Sequence, residues 1–165
     1  MKPVESTYEI LLWKFLNRSV DEKWSNWALE MMMVGFDTEH LVQLAGINKL
    51  YNYFELSDLT DKVFKELKLD YTNRDKVVNN YVTYLSKEVL NSNRGLLKTL
   101  REIKDLCIAI DYDNKIYGFY SLYFAKEDLN YSSVQWYWEG ADKSNIDTIC
   151  FDYLKKWIKE NPYLE

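Results

Sequence analysis

Apolar residues recur along most of this chain at intervals of three, four and seven, which is the spacing of one buried face of an α-helix. Four such series stand out and predict four amphipathic helices. They comprise Tyr8, Leu11, Leu12 and Phe15; Trp24, Trp27, Ala28 and Met31; Val78, Tyr81, Val82, Leu85 and Val89; and Ile146, Ile149, Cys150, Tyr153, Leu154 and Trp157.

A hydroxyl side chain precedes each series, with an acidic residue three positions later. Ser6–Glu9 and Ser19–Glu22 match the capping box, in which the hydroxyl and the carboxylate each accept a free backbone N–H. Thr72–Asp75 and Ser144–Asp147 are looser versions, with aspartate in the reciprocal position. These motifs predict that the four helices begin close to the four hydroxyl residues.

Further helices fit between these four. Gly35 is placed to end the second helix in a left-handed cap, Asp37 or Thr38 to begin another helix, and Gly46 to end it. Apolar spacing predicts two more helices, over about 56–68 and about 95–106. The connections are short, as is typical of antiparallel helical neighbours.

Residues 108–138 fit two structures. Ile116, Phe119, Tyr120 and Tyr123 have helical spacing, but the surrounding residues are also β-prone, and Asp113-Asn114 could turn a hairpin. We favour a helix because the rest of the chain is helical, with a small hairpin around 108–124 as the alternative. The overall prediction is an all-α (mainly α) protein, one compact domain over residues 1–165 with about seven or eight helices.

Composition supports the helical prediction and bounds the location. With 5 Gly and 2 Pro in 165 residues, turn-forming residues are too scarce for a many-stranded β fold. A chain of this length fits one domain. Because no run of about 18 apolar residues occurs and the N-terminus lacks the apolar region of a signal peptide, we expect a cytoplasmic protein without a membrane partner.

The charge of the chain disfavours nucleic acid as a partner. There are 21 basic and 26 acidic side chains, for a net charge of −5, and no basic cluster. A helix-turn-helix outline over residues 38–55 offers only one Lys and one Asn in its second helix, Lys49–Glu55. A mildly acidic surface could instead steer a basic protein partner.

Signals for catalysis are few, and the sequence favours a protein that is not an enzyme. His40 is the only histidine, and neither a Gly-rich phosphate loop nor GxSxG occurs. Cys107 and Cys150 occupy apolar positions and are interpreted as reduced core thiols. Asp111 begins a calcium-loop-like pattern that fails at Lys115. We therefore expect no metal site and no cofactor.

Gln135–Gly140, with three consecutive large aromatic residues, is the most unusual stretch of the chain. Rings in consecutive positions cannot all face one side of a helix or strand. Trp136 and Trp138 are therefore either core anchors beside the last helix or part of an exposed platform, with Gln135 or Glu139 setting its polarity.

Paired carboxylates provide a second candidate feature. Glu127 and Asp128 are adjacent, and Glu139 lies close in sequence to Asp142. Such pairs perform acid–base chemistry when burial separates their pKa values, but near helix ends they more often cap or are solvated. The candidate partner-binding residues are Gln135, Trp136, Trp138, Glu139, Glu127 and Asp128.

Two stretches resemble a family of small uncharacterised bacterial proteins. One runs from Trp27-Ala28 through Gly35–Thr38, Leu41–Gly46 and Phe54-Glu55; the other runs from Leu122–Leu129 through Gln135–Ala141 to Asn145–Asp147. Such proteins are filed as domains of unknown function, and they resemble immunity proteins that neutralise secreted bacterial toxins. The resemblance implies a helical binder whose surface blocks a partner, and it assigns no catalytic residue.

The leading functional hypothesis is thus a non-catalytic protein-binding module, in its most concrete form an immunity protein that blocks a basic toxin. Two alternatives stay open. One is a small enzyme with a carboxylate-based site in an aromatic cleft, and the other is a helical regulatory or scaffold protein. The chain is expected to be a monomer or a homodimer.

Overall fold

The computed structural model describes residues 1–47 and 52–165, and within those residues the chain forms eight α-helices and no β-strand. The helices are α1 (Thr7–Phe15), α2 (Glu22–Met33), α3 (Glu39–Ala45), α4 (Tyr53–Leu67), α5 (Arg74–Leu90), α6 (Leu96–Ala109), α7 (Tyr117–Tyr131) and α8 (Ile146–Glu160). The predicted mainly α fold is confirmed. Residues 108–124 form the end of α6, a turn and the start of α7, so the alternative hairpin is wrong.

Two predicted helix starts are displaced by one or two residues. Asp21, not Ser19, caps α2, because its carboxylate accepts the Lys23 N–H at 3.0 Å. Asn73 precedes α5, and its side-chain oxygen accepts the Lys76 N–H at 3.0 Å. Asp and Asn cap helices at least as well as Ser and better than Thr. The hydroxyl motifs therefore identified the right helices but not the capping residues.

The other two hydroxyl motifs form no capping box. Ser6 makes no capping hydrogen bond with its side chain, which donates to Glu30 at 2.6 Å. Ser144 donates to Asp142 in the turn before α8. A complete capping box occurs instead at the start of α4, where Asn52 and Glu55 each accept the other's backbone N–H.

Gly35 ends α2 as predicted. Its φ of +99° lies in the left-handed region that favours glycine. The Phe36 N–H donates to the Met31 carbonyl at 3.1 Å, and the Gly35 N–H donates to the Met32 carbonyl at 3.0 Å. This pair of hydrogen bonds is the Schellman motif.

The chain divides into two compact units, with the boundary inside α5. The first unit comprises Met1–Tyr81 with Leu164–Glu165. In it α1 packs on α2, α2 on α3 and α3 on α4. Trp24 lies at the centre of its core, with its ring stacked on Phe64 and tilted against Trp13. The helix-turn-helix outline over residues 38–55 includes residues 48–51, which lie outside the described residues.

The second unit, Val82–Tyr163, contains the rest of α5 with α6, α7 and α8. In it α6 packs along α7, and α7 contacts α8. The buried ring of Phe119 on α7 meets Tyr153 and Trp157 of α8 edge-on, at centroid distances of 5.0 and 5.2 Å. Among the helices of the described residues, none combines the length and the apolar character needed to cross a bilayer.

Gly118 on α7 lies directly against Tyr153 of α8. A Cβ atom added to Gly118 would lie 1.9 Å from the Tyr153 hydroxyl oxygen and 2.5 Å from Cζ of the same ring. The Tyr153 ring cannot easily retreat, because Phe119 and Trp138 both pack against it edge-on. Glycine is therefore required here for packing, although it lowers helix propensity.

We expect Gly118→Ala to lower the free energy of unfolding by about 1–3 kcal/mol, since overpacking outweighs the roughly 1 kcal/mol gain in helix propensity. Chemical denaturation measures this change. In a Tyr153→Ala background the clash is gone, and the same substitution is expected to stabilise the protein. If Gly118→Ala is equally destabilising in both backgrounds, the clash with Tyr153 is not the cause.

Candidate protein-binding surface

Helix α7 is apolar on two opposite sides. One side carries the buried residues Phe119, Leu122 and Leu129. At intervals of three, four and seven along the opposite side lie Tyr117, Tyr120, Phe124 and Tyr131. A surface helix normally carries polar residues on the side away from the core. The outward side of α7 is thus an exception that calls for a functional explanation.

The outward rings form a continuous cluster with two rings from neighbouring segments. Tyr120 contacts Tyr117, Phe124 and Tyr112, at centroid distances of 5.0, 4.9 and 5.8 Å. Tyr137 stacks on Phe124 at 5.1 Å with an interplanar angle of 26°. We call these five rings the aromatic face: Tyr112, Tyr117, Tyr120, Phe124 and Tyr137. Tyr131 is 85% exposed at the end of α7.

Gln135 organises the segment that joins α7 to α8. Its side-chain oxygen accepts the N–H groups of Tyr137 and Trp138, both at 2.8 Å. Its side-chain nitrogen donates to the carbonyls of Trp138 and Ala141, at 2.5 and 3.1 Å. Since these four hydrogen bonds occupy both donors and both acceptor positions of the amide, Gln135 positions the neighbouring aromatic residues.

A second set of hydrogen bonds closes the same segment before α8. The Asp142 carboxylate accepts the Ser144 hydroxyl at 2.5 Å and the N–H groups of Ser144 and Asn145 at 2.7 and 3.1 Å. These bonds, those from Ser144 above all, lower the pKa of Asp142. The Asn145 side chain donates to the Gly140 carbonyl at 2.9 Å. Residues 132–145 are therefore held in an irregular but fixed conformation by their own side chains.

The two tryptophans of this segment have different environments. Trp138 is half-buried, and its ring meets Tyr153 edge-on at 5.5 Å. Trp136 is 89% exposed. Trp138 thus contributes to packing in the second unit, whereas Trp136 presents a large apolar surface to solvent. Trp136 is next in sequence to Tyr137 of the aromatic face.

Glu127 and Asp128 lie half-buried on the outward side of α7, and Glu139 is exposed in the connecting segment. The pKa of the Arg101 guanidinium is raised chiefly by its hydrogen bond to Tyr123, with Glu127 adding a smaller attraction. Glu127 therefore lies near the α6 side of the aromatic rings. The described residues include no group of three or more His, Cys, Asp or Glu side chains placed to hold a metal ion.

The second unit also has a shallow cleft of about 280 Å³. Lys115, Tyr153, Lys156, Trp157, Glu160 and Asn161 line it. The candidate carboxylates Glu127, Asp128 and Glu139 are not among these lining residues. The geometry of this cleft therefore gives no support to a carboxylate-based active site.

The two cysteines are buried in the fold, and the histidine pairs with a residue of a neighbouring helix. Cys107 and Cys150 are free, buried thiols. Burial raises the pKa of Cys107, and it raises the pKa of Cys150 to about 12, which makes both thiols poor nucleophiles at neutral pH. His40 pairs with Glu66 and so connects α3 to α4.

Five residues of this surface were not among the sequence-predicted site residues: Tyr112, Tyr117, Tyr120, Phe124 and Tyr137. A signal for part of the set exists, because residues 117, 120, 124 and 131 have helical spacing alongside the core series 119, 122 and 129. Two apolar series half a turn apart on one helix indicate a second contact surface. No periodicity indicated Tyr112 or Tyr137, since both lie outside the helices.

The fold and this surface define an all-α protein with an exposed aromatic patch on its second unit. Comparison of the chain with protein-family models, with curated proteins and with solved structures finds no match.

We expect Gln135→Ala to release the connecting segment and lower the free energy of unfolding by about 1–3 kcal/mol, because four hydrogen bonds are lost in a partly buried place. Hydrogen exchange at the Tyr137 and Trp138 amides is expected to accelerate. Gln135→Glu is the matched control. It keeps an oxygen that can accept the N–H groups of Tyr137 and Trp138, but it replaces the amide nitrogen with an oxygen that faces two carbonyls. It therefore separates the accepted hydrogen bonds from the donated ones. Unchanged exchange in Gln135→Ala would show that other contacts hold the segment.

Proposed function

We propose that this protein is a non-catalytic protein-binding module of the bacterial cytoplasm, and that it acts as an immunity protein that neutralises a toxin. The single observation that carries the proposal is the exposure of Trp136 on a hydrogen-bonded segment that also carries Tyr137 of the aromatic face. Trp136 is 89% exposed on a segment that Gln135 and Asp142 hold in place.

Two physical considerations support protein binding at this surface. Tyrosine and tryptophan supply large, rigid contact areas at low conformational cost, and they are enriched among the residues that dominate binding energy. Tyr112, Tyr117 and Tyr137 remain 51%, 43% and 44% exposed, so much of their apolar area is in contact with water. A partner that covered these rings would gain free energy from removing apolar area from water.

The proposal is tested by co-expression with the toxin encoded beside the gene of this protein. Wild-type protein is expected to rescue growth and to co-purify with the toxin as a stable complex. Gly95→Ala is the control for a harmless surface substitution, and it is expected to rescue growth and bind as the wild type does. A Cβ atom at Gly95 meets nothing within 4 Å. Absence of both rescue and complex formation would refute the immunity function.

A further inference from the structure

The outward side of α7 combines aromatic rings with negative charge. Glu127 and Asp128 follow Phe124 by three and four positions, and Tyr131 follows them by four and three. Helical spacing therefore places the two carboxylates on either side of the stripe of rings, with Glu127 on the side of α6. Across residues 117–145 there are four acidic and two basic side chains.

Two cations of α6, Arg101 and Lys104, lie at the Tyr123 edge of these rings, where Glu127 attracts Arg101. The two basic residues within 117–145 lie elsewhere. Lys126 is only 15% exposed, and its Nζ atom pairs with Asp147 at 2.5 Å. The other, Lys143, lies after the aromatic residues of the connecting segment, close in sequence to Asp142. Away from the Tyr123 edge, Asp128 and Glu139 therefore leave an excess of negative charge, which favours a cationic over an anionic partner.

The ring cluster already binds cations at one edge. The Lys104 Nζ atom lies 4.9 Å from the Tyr123 ring centroid and 6.0 Å from that of Phe124. The Arg101 Cζ atom lies 5.8 Å from the Tyr123 centroid. Tyr123 and Phe124 are themselves in ring contact at 5.1 Å. The same chemistry is open to a partner at Tyr137, which is 44% exposed, and at the preceding residue Trp136, which is 89% exposed.

Resting on the proposed function, we propose that this surface recognises arginine side chains of a basic protein segment. The guanidinium groups stack on Trp136 and the aromatic face, and their N–H groups donate to Asp128 and to Glu127 or Glu139. Arginine suits this surface better than lysine, because guanidinium is planar, weakly hydrated and able to bond a carboxylate with two parallel N–H groups.

Charge also decides against two other occupants. In a symmetric dimer formed through this surface, the same patch meets itself, so that two patches of net negative charge would be brought together. Like charges brought together at an interface oppose association. A nucleic acid would bring phosphates against the same carboxylates, although its bases could stack on the rings.

The test uses the full-length protein and three synthetic peptides. Acetyl-Gly-Arg-Gly-Arg-Gly-Arg-amide is compared with counterparts in which every Arg is replaced by Lys or by citrulline, the neutral isostere. Binding is followed by NMR at the Trp136 indole N–H, which is assigned with Trp136→Phe. We expect saturable shifts with the Arg peptide, weaker binding of the Lys peptide, and binding about tenfold weaker for citrulline, the factor that corresponds to about 1.4 kcal/mol.

Variants separate charge from ring stacking. Asp128→Asn, which keeps the shape of the side chain, is expected to weaken Arg-peptide binding several-fold and to leave citrulline-peptide binding unchanged. Phe54→Ala is the matched control, because Phe54 is an exposed aromatic residue of the first unit. Phe54→Ala is expected to leave the binding of both the Arg peptide and the citrulline peptide unchanged.

Four outcomes would overturn the assignment of this surface to arginine. These outcomes are equal binding of the Arg and citrulline peptides, no shift at Trp136, a homodimer that dissociates in Trp136→Ala, and tighter binding of a single-stranded oligonucleotide. Protein binding itself is judged separately by the co-expression experiment. Rescue by wild type without arginine selectivity refutes only the partner chemistry, whereas loss of rescue refutes the proposed function.

Discussion

Thr83→Val is expected to lower the free energy of unfolding by about 2–4 kcal/mol, although it barely changes the shape of the side chain. The Thr83 hydroxyl oxygen accepts the indole N–H of Trp157 at 3.0 Å, and the hydroxyl donates to the Asn161 carbonyl at 2.8 Å. Thr83 is fully buried and Trp157 nearly so. Valine would leave the indole N–H and the carbonyl without these partners. Chemical denaturation measures the change.

The first unit offers a matched comparison. Trp27 donates its indole N–H to the Thr7 hydroxyl oxygen at 3.0 Å, and that hydroxyl donates to the Met31 sulfur at 3.7 Å. Sulfur is a weak acceptor. Thr7→Val is therefore expected to have a smaller effect than Thr83→Val, because it removes only one strong hydrogen bond.

Two controls separate lost hydrogen bonds from lost packing. Thr83→Ser keeps the hydroxyl and removes one methyl group, so it is expected to cost only about 1 kcal/mol. In a Trp157→Phe background the unpaired donor is absent, and the penalty for Thr83→Val is expected to shrink. A penalty that is the same in both backgrounds would show that the Trp157 hydrogen bond does not stabilise the fold.

Trp136→Ala is expected to reduce partner affinity by about 30-fold or more, the effect of a binding residue worth about 2 kcal/mol. The same substitution is expected to change the free energy of unfolding by less than about 0.5 kcal/mol, because the Trp136 side chain is solvent-exposed. Isothermal titration with the proposed toxin partner and chemical denaturation measure the two quantities.

Trp138→Ala is the informative contrast. Because Trp138 packs against Tyr153, its loss is expected to lower stability, whereas loss of Trp136 is not. Phe54→Ala, in the first unit, controls for the general effect of removing an exposed aromatic ring. The assignment of Trp136 to binding is wrong if Trp136→Ala destabilises the protein as much as Trp138→Ala, or if it binds the partner as tightly as wild type.

The helices could be predicted from sequence because their buried apolar residues recur at the regular spacing of an α-helix. The helix predicted over about 56–68 is α4, Tyr53–Leu67, and the one predicted over about 95–106 is α6, Leu96–Ala109. Helix starts were harder, because several residues in a row could serve as caps. At α2 the choice between Ser19 and Asp21 as the cap depends on the residue at which the chain changes from extended to helical conformation. The spacing of apolar residues does not identify that residue.

The binding surface was only partly predictable, for a related reason. Sequence alone recognised Gln135–Gly140 as unusual but did not separate Trp136 from Trp138, because side chains in an irregular segment follow no period. Their directions are set by the hydrogen bonds of Gln135 with the backbone of Trp138 and Ala141. Gln135, a candidate for partner contact, has its amide engaged within the chain. The role of Tyr137 depends on a long-range contact with Phe124.

The hydrogen-bonded connection between α7 and α8 has a kinetic consequence. Since Gln135, Asp142 and Asn145 already fix its shape in the free protein, no loop has to become ordered when a partner arrives. Association is then limited by encounter and orientation, and electrostatic attraction can accelerate it. Differences in affinity among related partners are expected to arise mainly from differences in the dissociation rate of each complex.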